Sequence, residues 1–243
     1  MRKDDVAVWT LMFVIIFLLS LGTYRRNTFW GSEVGLWRDC VEKSPRKDRT
    51  HHNLGYAYDA LGQWEEAKRE YGEALRLNPR YALPMYNLGL IRYKEGALDE
   101  AIDRYRMAVE LDPKFADAHF NLGLACYKRS FYPEAIEAYL GLLELKPDYE
   151  NGHSGLGLVY MRLNRSKEAL EAFQKELSLY PHNPYTHVYL GEAYLEMKED
   201  RKALAHFRQA LSDGFPQDGE KVRAQIASIE RRLGGREGEG LLP

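Results

Sequence analysis

Seven histidines, two cysteines and a large supply of carboxylates are the groups in this 243-residue sequence that could do chemistry. His51, His119, His153 and His187 share one spacing, all lying on multiples of a 34-residue step. On stacked helical units, equivalent positions sit roughly 10 Å apart. Zinc needs all its ligands within about 2.1 Å of one centre. A shared metal is therefore not expected, and each ring is expected to pack locally. Cys40 and Cys126 form no CxxC and no metal-type pair; they read as two semi-buried thiols rather than a disulfide framework. Carboxylates such as Glu65, Glu66 and Glu100 fall where outer, solvated helix faces are expected. No P-loop, GxSxG, HExxH or dinucleotide fingerprint is present. The expectation is a chain with no catalytic residue, no cofactor and no metal.

The elements that would position these groups repeat. Leu54, Leu88, Leu122, Leu156 and Leu190 are each followed by glycine, at Gly55, Gly89, Gly123, Gly157 and Gly191. Ala67, Ala101, Ala135, Ala169 and Ala203 keep the same step, as do Pro79, Pro113, Pro147 and Pro181. So do the aromatics Tyr71, Tyr105, Tyr139, Phe173 and Phe207. Such a period signals a stack of helical pairs. A glycine inside a helix costs about 1 kcal/mol relative to alanine. Its recurrence predicts that the two helices of a pair approach closely, glycine against alanine. Proline ends each second helix because its predecessor is pushed out of the α region. Gly62 and Gly96 suit a left-handed turn between the helices; Ser130, Asn164 and Lys198 replace them later. Serine and lysine adopt that geometry less readily, so those turns are expected to differ.

The stretch NLGYAYDALGQWEEAKREYGEALRLNP resembles the tetratricopeptide repeat family, and the resemblance covers residues 48–215 as five units. It implies an all-α helix-turn-helix solenoid, a right-handed superhelix whose concave face is lined by the first helix of each repeat. Arg92 and Cys126 depart from the family's usual large residue. Residues 27–47 read as a half-repeat carrying Trp30, Val34, Trp37 and Val41, and 216–235 as a capping helix with Val222, Ile226, Ile229 and Leu233 on one stripe. That helix is expected to stop at Gly234 and Gly235, leaving 236–243 disordered.

Carried onto this sequence, the family's groove positions are His52, Tyr56, Tyr86, Leu90, Tyr93, Phe120, Leu124, Tyr127, Leu158 and Met161, with Lys94, Lys128 and Arg162 along one border. Asn53, Asn87 and Asn121 stand just before the Leu-Gly pair, where some family members grip an extended peptide backbone. That ladder ends at Gly155 and Tyr189. The resemblance thus implies a groove for a protein or peptide partner; the rival reading has the asparagines serving repeat geometry. The family's carboxylate clamp for acidic tails is not expected, since His52, Tyr56, Asn87, Asp117 and Asn121 occupy its positions. A net charge of −2 argues against nucleic acid.

Residues 6–24 run nineteen positions without a charge, long enough for a helix to span about 28 Å of hydrocarbon. A single-pass membrane anchor over 1–26 is expected; a signal peptide cleaved after Gly22 is the alternative. Arg25, Arg26, Arg38, Lys43, Arg46, Lys47 and Arg49 favour a cytoplasmic repeat array. The junction TYRRNTFWGSEVGLWRDCVEKSPRKDRTHHNLGYAY resembles that of bacterial relatives of the transmembrane-and-TPR-containing mannosyltransferases, which implies the opposite, extracytoplasmic placement. Two functions follow: a membrane-tethered scaffold binding protein or peptide, or a module presenting acceptor protein to a polytopic membrane glycosyltransferase.

Overall fold

The computed structural model describes residues 17, 20, 21, 31–216 and 219–239. From residue 31 onward the described residues form α-helices and no strand. These are α1 (Glu33–Lys43), α2 (Asp48–Ala60), α3 (Trp64–Leu77), α4 (Ala82–Lys94), α5 (Leu98–Leu111) and α6 (Ala116–Lys128), then α7 (Tyr132–Leu145), α8 (Gly152–Arg162), α9 (Ser166–Leu179), α10 (Pro184–Glu196), α11 (Asp200–Ser212) and α12 (Glu220–Glu239). They fall into two compact units divided after Glu95. The expected membrane segment over 6–24 lies outside the described residues except at Phe17, Ser20 and Leu21, which are helical. Among the described residues no helix is long and apolar enough to cross a membrane.

In the first unit α1 packs on α2, α2 on α3, and α4 on both α2 and α3. Leu54, Tyr58, Ala67, Tyr71 and Ile91 form its core, and Val34, Trp37 and Val41 of α1 close over it. Arg38 reinforces that contact by donating to the Tyr58 hydroxyl at 2.9 Å. In the second unit each helix packs on the next, and the first helices also meet, α6 with α8 and α8 with α10. Val222 and Ile229 of α12 are buried against the last pair, while Arg232 forms a double hydrogen bond to buried Asp200 at 2.6 and 3.2 Å.

The recurrent glycine has a sharper reason than backbone approach. A Cβ on Gly55 would meet the Tyr71 ring at 2.8 Å and the Ala67 carbonyl oxygen at 3.2 Å. One on Gly123 would lie 2.9 Å from the Tyr139 ring; one on Gly157 or Gly191 would lie 2.5 Å from Phe173 or Phe207. All these rings are essentially inaccessible to solvent. The glycine in the first helix is the seat for the aromatic ring of the second, and the fully buried alanines let the helices close around it.

The inter-helix turns do not differ as expected. Gly62, Gly96, Ser130, Asn164 and Lys198 all have φ between 57° and 81°. Where the sequence has Ser130, Asn164 and Lys198, the next residue donates its N–H five positions back, from Phe131 to Cys126, Arg165 to Tyr160 and Glu199 to Tyr194. Gln63 does the same to Tyr58 after Gly62. The packing of each pair and this closing bond dictate the conformation, and a non-glycine residue bears a local cost of about 1–2 kcal/mol.

Two further departures have physical causes. The capping helix does not stop at Gly234 but continues to Glu239, so the disordered tail expected from 236 is helical as far as 239; two glycines cost only about 1 kcal/mol each. Residues 240–243 lie outside the described residues. Helix α8 begins at Gly152 after Asn151 in the left-handed region. Its N-terminus is capped from another helix: fully buried Glu176 of α9 accepts from Asn151 N at 2.7 Å and Ser154 N at 3.2 Å. A carboxyl group at a helix N-terminus satisfies N–H groups that have no partner within the helix.

Candidate functional site

The four periodic histidines serve the stack. The Nε2 atoms of His51, His119, His153 and His187 lie 3.1 Å from the carbonyl oxygens of Pro45, Pro113, Pro147 and Pro181. A carbonyl only accepts, so each Nε2 carries the proton and latches the start of a first helix to the turn before it. Among the described residues no group of three or more His, Cys, Asp or Glu side chains is placed to hold a metal.

The asparagines also serve the chain. His52 Nε2 lies 3.1 Å from Asn87 Nδ2 and its Nδ1 lies 3.1 Å from Asn53 Oδ1. The amide nitrogen of Asn87 must donate, so Nδ1–H of His52 donates to Asn53 and the ring is neutral. Burial holds the His52 pKa below its usual value, against the opposing pull of the Asn53 bond. Asn121 donates to the Asp117 carbonyl at 2.9 Å. Each asparagine of the expected ladder thus spends part of its capacity internally, and Asn87 is buried. The ladder ends at Gly155 because a Cβ there would sit 2.5 Å from the Tyr139 ring.

The remaining groove positions form an aromatic and aliphatic face within each unit. In the first, Tyr56 is 59% exposed, and Tyr86, Leu90 and Tyr93 are half-buried. In the second, Phe120, Leu124, Tyr127, Leu158 and Met161 are half-buried on α6 and α8. Phe120 packs against Tyr149 with ring centres 5.3 Å apart. Of the border cations, Lys94 pairs with Asp59 at 3.0 Å, and Arg162 donates from Nε to the Tyr127 hydroxyl at 3.0 Å.

A cleft of about 230 Å³ opens on this face of the second unit. Its lining comes from Tyr127 of α6, Leu158, Met161 and Arg162 of α8, and Tyr189, Glu192 and Glu196 of α10, with Phe173 and Lys221 completing it. Tyr189 stacks near Phe173, ring centres 5.7 Å apart, and burial raises its phenol pKa. Tyr127, Leu158 and Met161 are among the family-derived positions; Tyr189, Glu192, Glu196 and Lys221 are not. The sequence does hold a signal for the acidic pair, since Glu192 and Glu196 are one turn apart and face the same way. A larger depression of about 460 Å³ lies elsewhere, between Glu150–Asn151 and Leu179–Tyr185. Its asparagines are engaged within the chain: Asn183 accepts from Tyr185 N and Thr186 N and donates to Asn151.

Comparison with known proteins fits this geometry. Models described as TPR repeat or tetratricopeptide repeat match residues 55–96, 89–130, 123–164, 151–183 and 185–218. A protein O-mannosyl-transferase of Caenorhabditis elegans is 32% identical over 71 residues, 29% of this chain and 10% of that protein. The chain therefore spans only a small part of the length of that relative. Among solved structures, MamA is 27% identical with a TM-score of 0.63, covering 66% of this chain and 94% of MamA. YrrB, described as a TPR protein with an unusual peptide-binding site, superposes with a TM-score of 0.68 over 79% of this chain and 97% of its own. At 18% identity that likeness concerns the fold alone.

Proposed function

We propose, for a chain that belongs to the tetratricopeptide repeat family, that it is a membrane-tethered scaffold holding a protein or extended peptide on the first-helix face. The observation that carries this is the division of its aromatic residues. Tyr71, Tyr105, Tyr139, Phe173 and Phe207 are consumed by the core. Tyr56, Tyr127 and Tyr189 keep accessible surface on the other helix of each pair. Aromatic surface left open in this way is the composition of interaction sites. The unusual peptide-binding site attributed to YrrB is in keeping with this reading. The contact residues proposed are Tyr56, Tyr86, Leu90 and Tyr93 in the first unit and Phe120, Leu124, Tyr127 and Met161 in the second. His52, Asn53, Asn87 and Asn121 frame them.

Tyr86→Ala combined with Tyr127→Ala should abolish capture of the partner in pull-downs while leaving the thermal melt nearly intact. Undiminished capture by the double variant refutes the reading. The tether is assigned to the uncharged run 6–24, with the repeats on the extracytoplasmic side. Protease accessibility in intact against permeabilised cells checks that placement.

The partial match to an O-mannosyl-transferase favours a second reading, in which the scaffold presents acceptor protein to a membrane glycosyltransferase. Co-purification of a polytopic glycosyltransferase with the full chain supports it; a partner set without one removes it.

A further inference from the structure

Three polar side chains of the first unit stand in one line of hydrogen bonds, and their order decides which way each faces. Asn87 of α4 is buried, and its Nδ2 lies 3.1 Å from His52 Nε2. Burial raises the Tyr71 phenol pKa and the Asn87 amide opposes that rise, so the amide hydrogens lie towards both rings. Only a bare Nε2 accepts such a hydrogen, which puts the His52 proton on Nδ1. The rings of Tyr71 and Tyr81, with centres 5.8 and 5.2 Å away, hold the imidazole in that setting. Nδ1–H then donates to Asn53 Oδ1 at 3.1 Å, and the Asn53 oxygen is turned inward. The Asn53 Nδ2 has no hydrogen-bond partner among the described residues. Asn53 is half-buried and shares a face of α2 with Tyr56, which is 59% exposed. Asn121 is set otherwise, its amide hydrogen donated back to the Asp117 carbonyl of its own helix.

We infer that Asn87 and His52 are positioning residues that orient Asn53, so that its amide hydrogens meet a main-chain carbonyl of the bound peptide. The inference rests on the groove reading above and adds the polarity of one contact within it. A free amide offers oxygen or nitrogen alike. Here that choice is removed before the ligand arrives, which lowers the cost of ordering on binding. A main-chain carbonyl recurs at every peptide position. The contact therefore fixes the path of the ligand and leaves its sequence to Tyr56, Tyr86 and Tyr93.

Peptides selected from a random-sequence displayed library on the full chain, and lost on Tyr86→Ala/Tyr127→Ala, are the probes. Two further variants are compared with the unaltered chain. Asn53→Asp keeps an oxygen for the His52 proton and has no hydrogen to give. Asn87→Leu removes the donor that sets the His52 tautomer. Each should bind the selected peptides about tenfold more weakly, the scale of one hydrogen bond, whatever their sequence. Nitrogen NMR of the imidazole should place the His52 proton on Nδ1 in the unaltered chain. In Asn87→Leu it should move at least partly to Nε2, a change that loss of packing alone does not produce. Equal or tighter binding by Asn53→Asp, or a loss confined to peptides that share one residue, overturns the inference and leaves the groove standing. So does a His52 proton on Nε2 in the unaltered chain, or an unmoved tautomer in Asn87→Leu. Peptides bound equally by the tyrosine variant, or no enrichment at all, overturn both.

Discussion

Replacing Gly157 by alanine sets two known effects against each other, and the geometry decides the sign. Alanine is the better helix former by about 1 kcal/mol. The new Cβ would lie 2.5 Å from Cε1 of Phe173, 2.8 Å from Cδ1 and 2.9 Å from Cζ. Phe173 is fully buried within the cluster containing Ala169, Leu190 and Ala203, so its ring has no solvent to move into. Forcing one extra carbon into such a core costs about 1–3 kcal/mol and, for a rigid ring seat, belongs at the upper end. The expected net change is a loss of about 1–2 kcal/mol. Gly72 supplies the control, because it lies inside α3 and a methyl added there would have no neighbouring atom within 4 Å. Gly72→Ala should therefore gain about 0.5–1 kcal/mol from helix propensity alone. Urea unfolding of both variants beside the parent chain gives the comparison, read as opposite displacements of the transition midpoint. If Gly157→Ala is neutral or stabilising, the ring is not what the glycine accommodates, and the explanation of the recurrent Leu-Gly pair fails.

Lys198→Gly should stabilise by about 1 kcal/mol, since φ is 60° at that position and glycine removes the cost of a Cβ there; an unchanged melt would show the turn is unstrained. Glu176→Ala should destabilise by about 2–3 kcal/mol by leaving Asn151 N and Ser154 N buried without an acceptor, measured in the same unfolding assay. Acidification from pH 7 to 5 should also weaken the fold. Burial lowers the pKa of His52 and of His206, so the unfolded chain binds protons first as pH drops below about 6.5, and stability falls from there. His206 faces His187 Nδ1 at 3.0 Å and stacks on Tyr194, which also lies under Lys202. His206→Gln should flatten the pH slope of the urea midpoint between 7 and 5, and an unaltered slope would assign the loss to other groups.

The repeat is legible in the sequence because its period is carried by residues whose roles are local. The Leu-Gly, Ala and Pro columns announce a helix pair wherever they occur, and α2 through α11 follow them. Pairings between helices are not legible in the same way. The histidine column predicts packing, but its bond to a proline carbonyl six residues earlier needs the helix start and the turn in one frame. Glu176 looks like one more surface carboxylate in SKEALEAFQKELSL until α8 is placed over it. At Ser130 and Lys198 intrinsic preference points away from the observed turn, because the closing hydrogen bond outweighs it. In the groove, Tyr127 and Met161 transfer from the family to the cleft, whereas Asn87 proves to be held by His52.

A repeat protein also carries its own control for deciding which departures from pattern belong to the fold and which to function. Gly155 breaks the asparagine column, and the Tyr139 ring occupies the space that an amide would need. Glu176 breaks a column of small and apolar residues, Ala74, Ala108, Leu142 and Ala210, and its two oxygens cap α8. Both departures satisfy a local demand and need no ligand to account for them. Glu192 and Glu196 need none either: Glu196 is open to solvent, Glu192 meets Lys221, and Arg162 lines the same cleft.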